Sequence, residues 1–297
     1  MTDEPYIVIP ILNNAVKTLR GPFLSLSEKV YIRTIDDVDF GFFLKDAPDV
    51  YKPLFSPRTK CIYLYTDKNT PFSGSIRENS ILVIFTLNAF SNENPVSSIF
   101  SAKIDFTKQN KKRLILEENP FSVNHGKMKN KKFEFTENTT SEKLKAHYSV
   151  SMSACKNERK IVFTIEKFNQ SLIRDDIKDG IIDICTCLES LVPGRSELKF
   201  KFSLFNSITS SNDEQERYNN FDLLSLLYDT RSGIVHGDSE SRSVMDNIKK
   251  VSHEWYKIKE IAAKCINYRL FYSYEGNFDP WDIHLRKLAL GSSRKIV

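Results

Sequence analysis

A chain of 297 residues is longer than one typical domain and suits two. Its 40% hydrophobic and 12% aromatic residues supply a sizeable core and exclude a disordered chain. Net charge is +5 and unevenly spread: residues 1–165 hold 24 Lys+Arg against 18 Asp+Glu, residues 166–297 hold 19 against 20.

In chain order, the first apolar stretch is YIVIPILNNAV, preceded by Asp3 and Glu4 and broken by Pro10 and two asparagines. It fits neither a signal peptide nor a transmembrane span, so a cytoplasmic location with no membrane partner is expected. KVYIRTI, DFGFFLK, KCIYLYT, SILVIFTLNAF, KKFEF and RKIVFTIEKF then read as strands, being short, rich in β-branched and aromatic residues and separated by Pro, Asn and Ser. KVYIRTI alternates as a half-buried strand does, whereas SILVIFTL suits a strand covered on both faces. A β-rich domain over residues 1–168, an antiparallel sandwich or a curved sheet, follows from this pattern, with no helix of convincing length in its first 165 residues. The basic surplus gathers between Lys103 and Lys132. There Lys111, Lys112, Arg113, Lys129, Lys131 and Lys132 interleave with Phe121 and Phe133, as in a segment gripping an RNA backbone. A lysine-rich loop that merely solubilises has the same composition.

Beyond residue 168 the period changes. QSLIRDDIKDGIIDICTCLESLV places apolar residues at 173, 177, 181, 184 and 188, the steps of an amphipathic helix that Pro193 and Gly194 stop. SELKFKFSLFNSITS follows, with Ser196 as N-cap, and then DEQERYNNFDLLSLLYDTRSGIVHG, acidic at its start and closed by Gly237. A long helix over about 243–274 and a short one from Asp279-Pro280 complete an all-α domain of four main helices over 169–297. The whole chain is therefore read as α+β. The five cysteines, at 61, 155, 185, 187 and 265, form no CxxC pair, which suggests buried thiols rather than disulfides or a zinc site. No metal or cofactor is expected.

Within YDTRSGIVHGD, Arg231 and His236 stand five positions apart. Such a pair at a glycine-capped helix end is, on its own, an ordinary basic terminus. Five residues along a helix rotate by about 140° and advance by about 7.5 Å. One chain therefore does not aim both side chains at one phosphate, whereas a two-fold axis near the helix end gathers two copies of each around a shared cleft. Gly233 is expected to loosen the last turn. Glu189 and Glu197, at the ends of two earlier helices, are candidates to orient the site or simply solvated carboxylates. Tyr228 either contacts substrate or packs, and His253 and Trp255 suit the bundle core or rim. His125 and His147 belong to no motif.

LESLVPGRSELKFKFSLFNSI followed by LLYDTRSGIVHGD resembles the Apea-like branch of the HEPN superfamily, over roughly residues 170–275. The resemblance implies a HEPN-type four-helix bundle, a homodimer, and a metal-independent endoribonuclease whose composite Arg-x4-His site is Arg231 and His236, with Ser232 and Tyr228 beside them. Single-stranded RNA or tRNA is the implied substrate, 2′,3′-cyclic phosphate ends the product, and phage defence or a toxin-like stress response the setting. Ser232 stands where many active members carry Asn, Asp or His, and Gly237-Asp238 stands where members silenced by an adenylylating antitoxin carry a tyrosine, so no such antitoxin is expected. A non-catalytic HEPN module for RNA or nucleotide binding or for dimerisation is the alternative, as is an adaptor whose N-terminal domain binds a ligand or protein.

Overall fold

The computed structural model describes residues 6–12, 23–35, 40–41, 60–65, 76–91, 97–98, 100–107, 110–118, 139–194, 196–238, 240–275 and 279–291. The chain divides into two compact units, residues 1–149 and 150–297.

The described strands of the first unit are β1 (Tyr6–Leu12), β2 (Phe23–Ser27), β3 (Val30–Thr34), β4 (Lys60–Tyr65), β5 (Ser97–Ser98), β6 (Phe100–Thr107) and β7 (Asn110–Glu118). They form one antiparallel sheet in the order β2-β3-β4-β1-β6-β7, with β5 also alongside β1. Val30 and Ile32 of β3 are buried in alternation, as KVYIRTI leads one to expect, and pair with Leu64 and Ile62 of β4. Pro10 lies inside β1, opposite Cys61. On the other side of β1 the pairing passes from β6 at residues 6–8 to β5 at residues 11–12, so the residue that lacks an N–H falls between the two ladders. A second sheet, as in a sandwich, is not seen among the described residues.

SILVIFTLNAF is not a strand. It belongs to helix α1 (Ile76–Ala89), in which every residue from Leu82 to Asn88 is buried. An apolar run covered on all sides has no polar face, so its period does not separate strand from helix. Helix α2 (Ser141–Asn157) packs its first half on α1: Tyr148 donates to Asn79 Oδ1 at 2.9 Å. The buried His147 contacts Thr86 Oγ1 at 3.1 Å, between the rings of Phe85 and Phe90. RKIVFTIEKF is likewise helical, within α3 (Arg159–Ile173), which buries Ile161, Ile165 and Phe168. The first 165 residues thus contain helices, and the boundary between units falls inside α2 rather than at 168. Of DFGFFLK only Phe40 and Gly41 are described, in helical conformation, and KKFEF lies outside the described residues.

The second unit continues with α4 (Ile177–Ser190), α5 (Leu198–Ser210), α6 (Glu214–Val235), α7 (Arg242–His253), α8 (Trp255–Tyr274) and α9 (Trp281–Ala289). The stretch 170–192 is two helices. Extended backbone at Arg174 ends α3, and Asp176 caps α4 by accepting from the Lys178 N–H at 2.8 Å. The buried Asp183 then pins α3 to α4 by accepting from Lys167 Nζ at 2.9 Å and Arg174 Nε at 2.6 Å. The stretch 243–274 is also two helices, α7 and α8, meeting at Glu254. Glu197, not Ser196, occupies the N-cap of α5, in the left-handed region at φ 54°.

Helix α3 packs on α4, α5 on α6, α8 on α5, and α4 touches α6. Ile181, Ile184, Leu188, Phe202, Leu224, Leu227, Ile258 and Ile266 are among the fully buried side chains. At the far end, Trp281 Nε1 donates to the Leu191 carbonyl at 2.7 Å. The buried His284 of the same helix shares a hydrogen bond of 2.8 Å with the Tyr268 hydroxyl, so α9 is docked by polar as well as apolar contacts.

Candidate active site

Helix α6 is fixed at both ends by capping chemistry. Asp213 accepts from the Glu216 N–H at 2.7 Å. At the C-terminus, Gly237 takes φ 87°, its N–H reaches the Ile234 carbonyl at 3.3 Å, and the Asp238 N–H reaches the Gly233 carbonyl at 2.9 Å. This reciprocal pair is the Schellman arrangement, which needs a residue tolerant of the left-handed region. The expected glycine cap is therefore present, one residue after His236.

The helix remains regular through Val235, so Gly233 does not loosen its last turn. A Cβ at Gly233 would stand 2.5 Å from Val244 Cγ2, so the glycine instead admits α7 against α6.

Helix through Val235 sets Arg231 and His236, five residues apart, on different sides of α6. Arg231 turns toward α4, where its Nη2 lies 3.8 Å from Glu189 Oε2, close enough for attraction and too far for a hydrogen bond. Both side chains are only about a quarter exposed (26% and 22%). Arg231 Nε and Glu189 Oε1 are buried with no hydrogen-bond partner among the described residues. Leaving a buried polar group unsatisfied costs about 1–3 kcal/mol, more when it is charged. His236 is the C-cap residue of α6 and is exposed, its imidazole without a side-chain partner among the described residues.

Two neutral groups border the ion pair. Burial pushes the Cys185 thiol up, the Glu189 carboxylate adds to this, and the Arg231 guanidinium opposes it. Tyr228 is raised in the same way, by burial first, then by Glu189 against Arg231. Its ring packs 5.3 Å from that of Phe202, so the packing role is present. Cys185 was not singled out by sequence, although its position four residues before Glu189 puts both on one face of α4.

Glu197 does not join this group. It is exposed and stands 3.8 Å from Lys201 Nζ. With Leu198, Lys199, Phe200, Phe221, Ser225 and Tyr228 it borders a surface groove of about 580 Å³ between α5 and α6. Ser232 contributes its backbone carbonyl, which accepts from the His236 N–H at 3.0 Å. His253 is exposed at the end of α7, and Trp255 packs against Gly180.

The basic candidates of the first unit divide. Lys111, Lys112 and Arg113 lie on strand β7, at the edge of the described sheet, paired with Phe106, Asp105 and Ile104. They sit on a strand and not in a loop. Lys129, Lys131 and Lys132 lie outside the described residues, as does His125. Among the described residues no group of three or more His, Cys, Asp or Glu could hold a metal ion, and no helix is long and apolar enough to cross a membrane.

No known family, curated protein or solved structure matches the chain. The functional reading therefore stands on the residues at the end of α6.

Proposed function

We propose that the chain is a metal-independent endoribonuclease of HEPN type, working as a homodimer whose site combines Arg231 and His236 of both protomers. The observation that carries this reading is the pairing of a partly exposed, incompletely hydrogen-bonded guanidinium with an unengaged imidazole at a rigidly capped helix end. Arg231 binds the phosphodiester oxygens and stabilises the charge that grows on them. One His236 takes the proton of a ribose 2′-OH as that oxygen attacks phosphorus. The bond from phosphorus to the 5′-oxygen breaks, and the second His236, protonated, gives its proton to the leaving oxygen. The products are a 2′,3′-cyclic phosphate and a 5′-hydroxyl, and DNA, which lacks the nucleophile, is spared. Two-fold symmetry accounts for the pair's divergence within one protomer: each protomer supplies what the other cannot aim. The implied substrate is single-stranded RNA or tRNA, and the implied setting a cytoplasmic defence or toxin-like response.

The same divergence favours a second reading, a module that binds RNA or nucleotide without cutting it. The two are separated by incubating the protein with single-stranded RNA in EDTA. Cleavage with cyclic phosphate ends, lost in both His236→Ala and Arg231→Ala, is the expected result. Mixing the two inactive variants should leave cutting lost, because their heterodimers hold one histidine where the mechanism takes a base and an acid from two. Undiminished cutting by His236→Ala removes this histidine from the mechanism, and binding without cutting by the unsubstituted protein establishes the second reading.

A further inference from the structure

A guanidinium carries five N–H donors, and a completed pair with a carboxylate is usually a two-pronged fork. The Arg231–Glu189 pair is not completed: one Nη2–Oε2 approach of 3.8 Å, with Arg231 Nε and Glu189 Oε1 each lacking a partner among the described residues. The groups beside it, Cys185 and Tyr228, are both pushed toward their neutral forms, by burial first and by the Glu189 carboxylate next.

We propose that Glu189 is the positioning residue for Arg231: it holds the guanidinium against α4 by charge alone and leaves the part of the guanidinium that reaches solvent, its Nη groups and not the buried Nε, for a phosphodiester. The proposal rests on the nuclease reading for its chemistry, while its first test is a binding measurement that does not depend on cleavage. The physical consequence has two parts. Glu189 fixes the direction of a long side chain at the end of α6, where regular helix alone leaves its tip free to swing. It also repels any anion that approaches Arg231. The empty site stays near neutral and the binding of phosphate is weakened, a cost that the fixed direction of the guanidinium outweighs as negative charge gathers on the phosphoryl oxygens. Glu189 thus acts on RNA through Arg231 without touching it.

The test uses the full chain and an oligonucleotide whose 2′-oxygens are all methylated, which cannot be cut, followed by fluorescence anisotropy. Removing one unit charge about 4 Å from a bound phosphate in a water-screened site is worth about fivefold in affinity. Glu189→Gln is therefore expected to tighten binding about fivefold, and Glu189→Asp, which restores the charge, to return it toward the starting value. On cleavable RNA, Glu189→Gln should lower KM and at the same time lower kcat about tenfold or more, because the arginine loses its direction. A residue that only supports the fold would not lower KM while lowering kcat. Unchanged or weaker binding by Glu189→Gln overturns the proposal, and so does an unsubstituted chain that does not bind the oligonucleotide. If Glu189→Gln does not fold, Glu189→Asp decides alone: kcat should fall with affinity held, and a parallel loss of both overturns the proposal. Binding that tightens in a chain that cuts no RNA removes the nuclease reading and leaves Glu189 as the positioning group of an anion site.

Discussion

Gly233 shows how one missing side chain sets the surroundings of a site. In an exposed helix interior, Gly→Ala is favourable by about 1 kcal/mol, since it restricts the unfolded chain and restores helix propensity. Here the added methyl would meet Val244 at 2.5 Å, and overpacking of this kind costs about 1–3 kcal/mol. Gly233→Ala is therefore expected to lower the thermal midpoint, and Gly233→Ala with Val244→Ala to recover it. A single substitution that raises the midpoint would show that α7 yields freely. The sequence marks Gly233 as unusual in a helix but does not say why, because the reason lies eleven residues downstream, in α7. Arg231 and His236 were singled out by the resemblance, their spacing alone being that of an ordinary basic helix end, and they stand at the end of α6. Glu189 and Glu197 were both named as candidates to orient the site, but that Glu189 and not Glu197 approaches Arg231 was not legible, since an ion pair across two helices leaves no mark in either local pattern. Left-handed Glu197, bearing a side chain where glycine is usual, likewise has no local signal.

At the level of elements, what was legible depended on contrast between faces. The helices around 198–210 and 214–235 have polar and apolar sides, or acidic starts and a glycine end, and they appear where those signals stand. Helix α1, whose apolar run from Ile81 to Leu87 is broken by Thr86 alone, does not announce its period. In α3 the spacing of Ile161, Thr164, Ile165 and Phe168 is helical, yet adjacent Val162 and Phe163 give it a strand's composition. Breaks within long periodic runs were hidden too: Asp176 and Glu254 are ordinary helix-surface residues until the backbone turns there. Helix α9 offers a pH test. His284 is buried against Tyr268, Tyr272 and Trp281, and burial lowers its pKa below 6.5, with Arg269 and Lys287 acting in the same direction and Asp279 opposing them. The unfolded chain therefore takes up this proton more readily than the folded one. The contribution is full above about pH 6.5 and is lost as pH falls through the lower folded value. Thermal midpoints measured from pH 7.5 to 5 should decline, and His284→Gln should flatten that decline; an equal slope in the variant would assign it to other groups.

On the scale of the whole chain, the division into a sheet-bearing unit and a helical one was visible in the change of period, while its exact place was not. Helix α2 and the first part of α3 precede residue 168, and the boundary falls within α2, between residues 149 and 150. Charge asymmetry and period both change near there, yet neither senses which side of a helix its contacts favour.

All five cysteines are buried, Cys61 in the first unit and Cys155, Cys185, Cys187 and Cys265 in the second. Burial also holds Cys185 and Cys187 as unreactive thiols. An alkylating reagent therefore has no ready target on the intact molecule and becomes a clock for its opening. Pulse alkylation in rising denaturant, read by peptide mass, should tag Cys61 and the other four in separate steps if the units melt independently, and together if they melt as one. Tagging of Cys185 before any loss of helical signal would mean that the floor beneath the arginine breathes on its own.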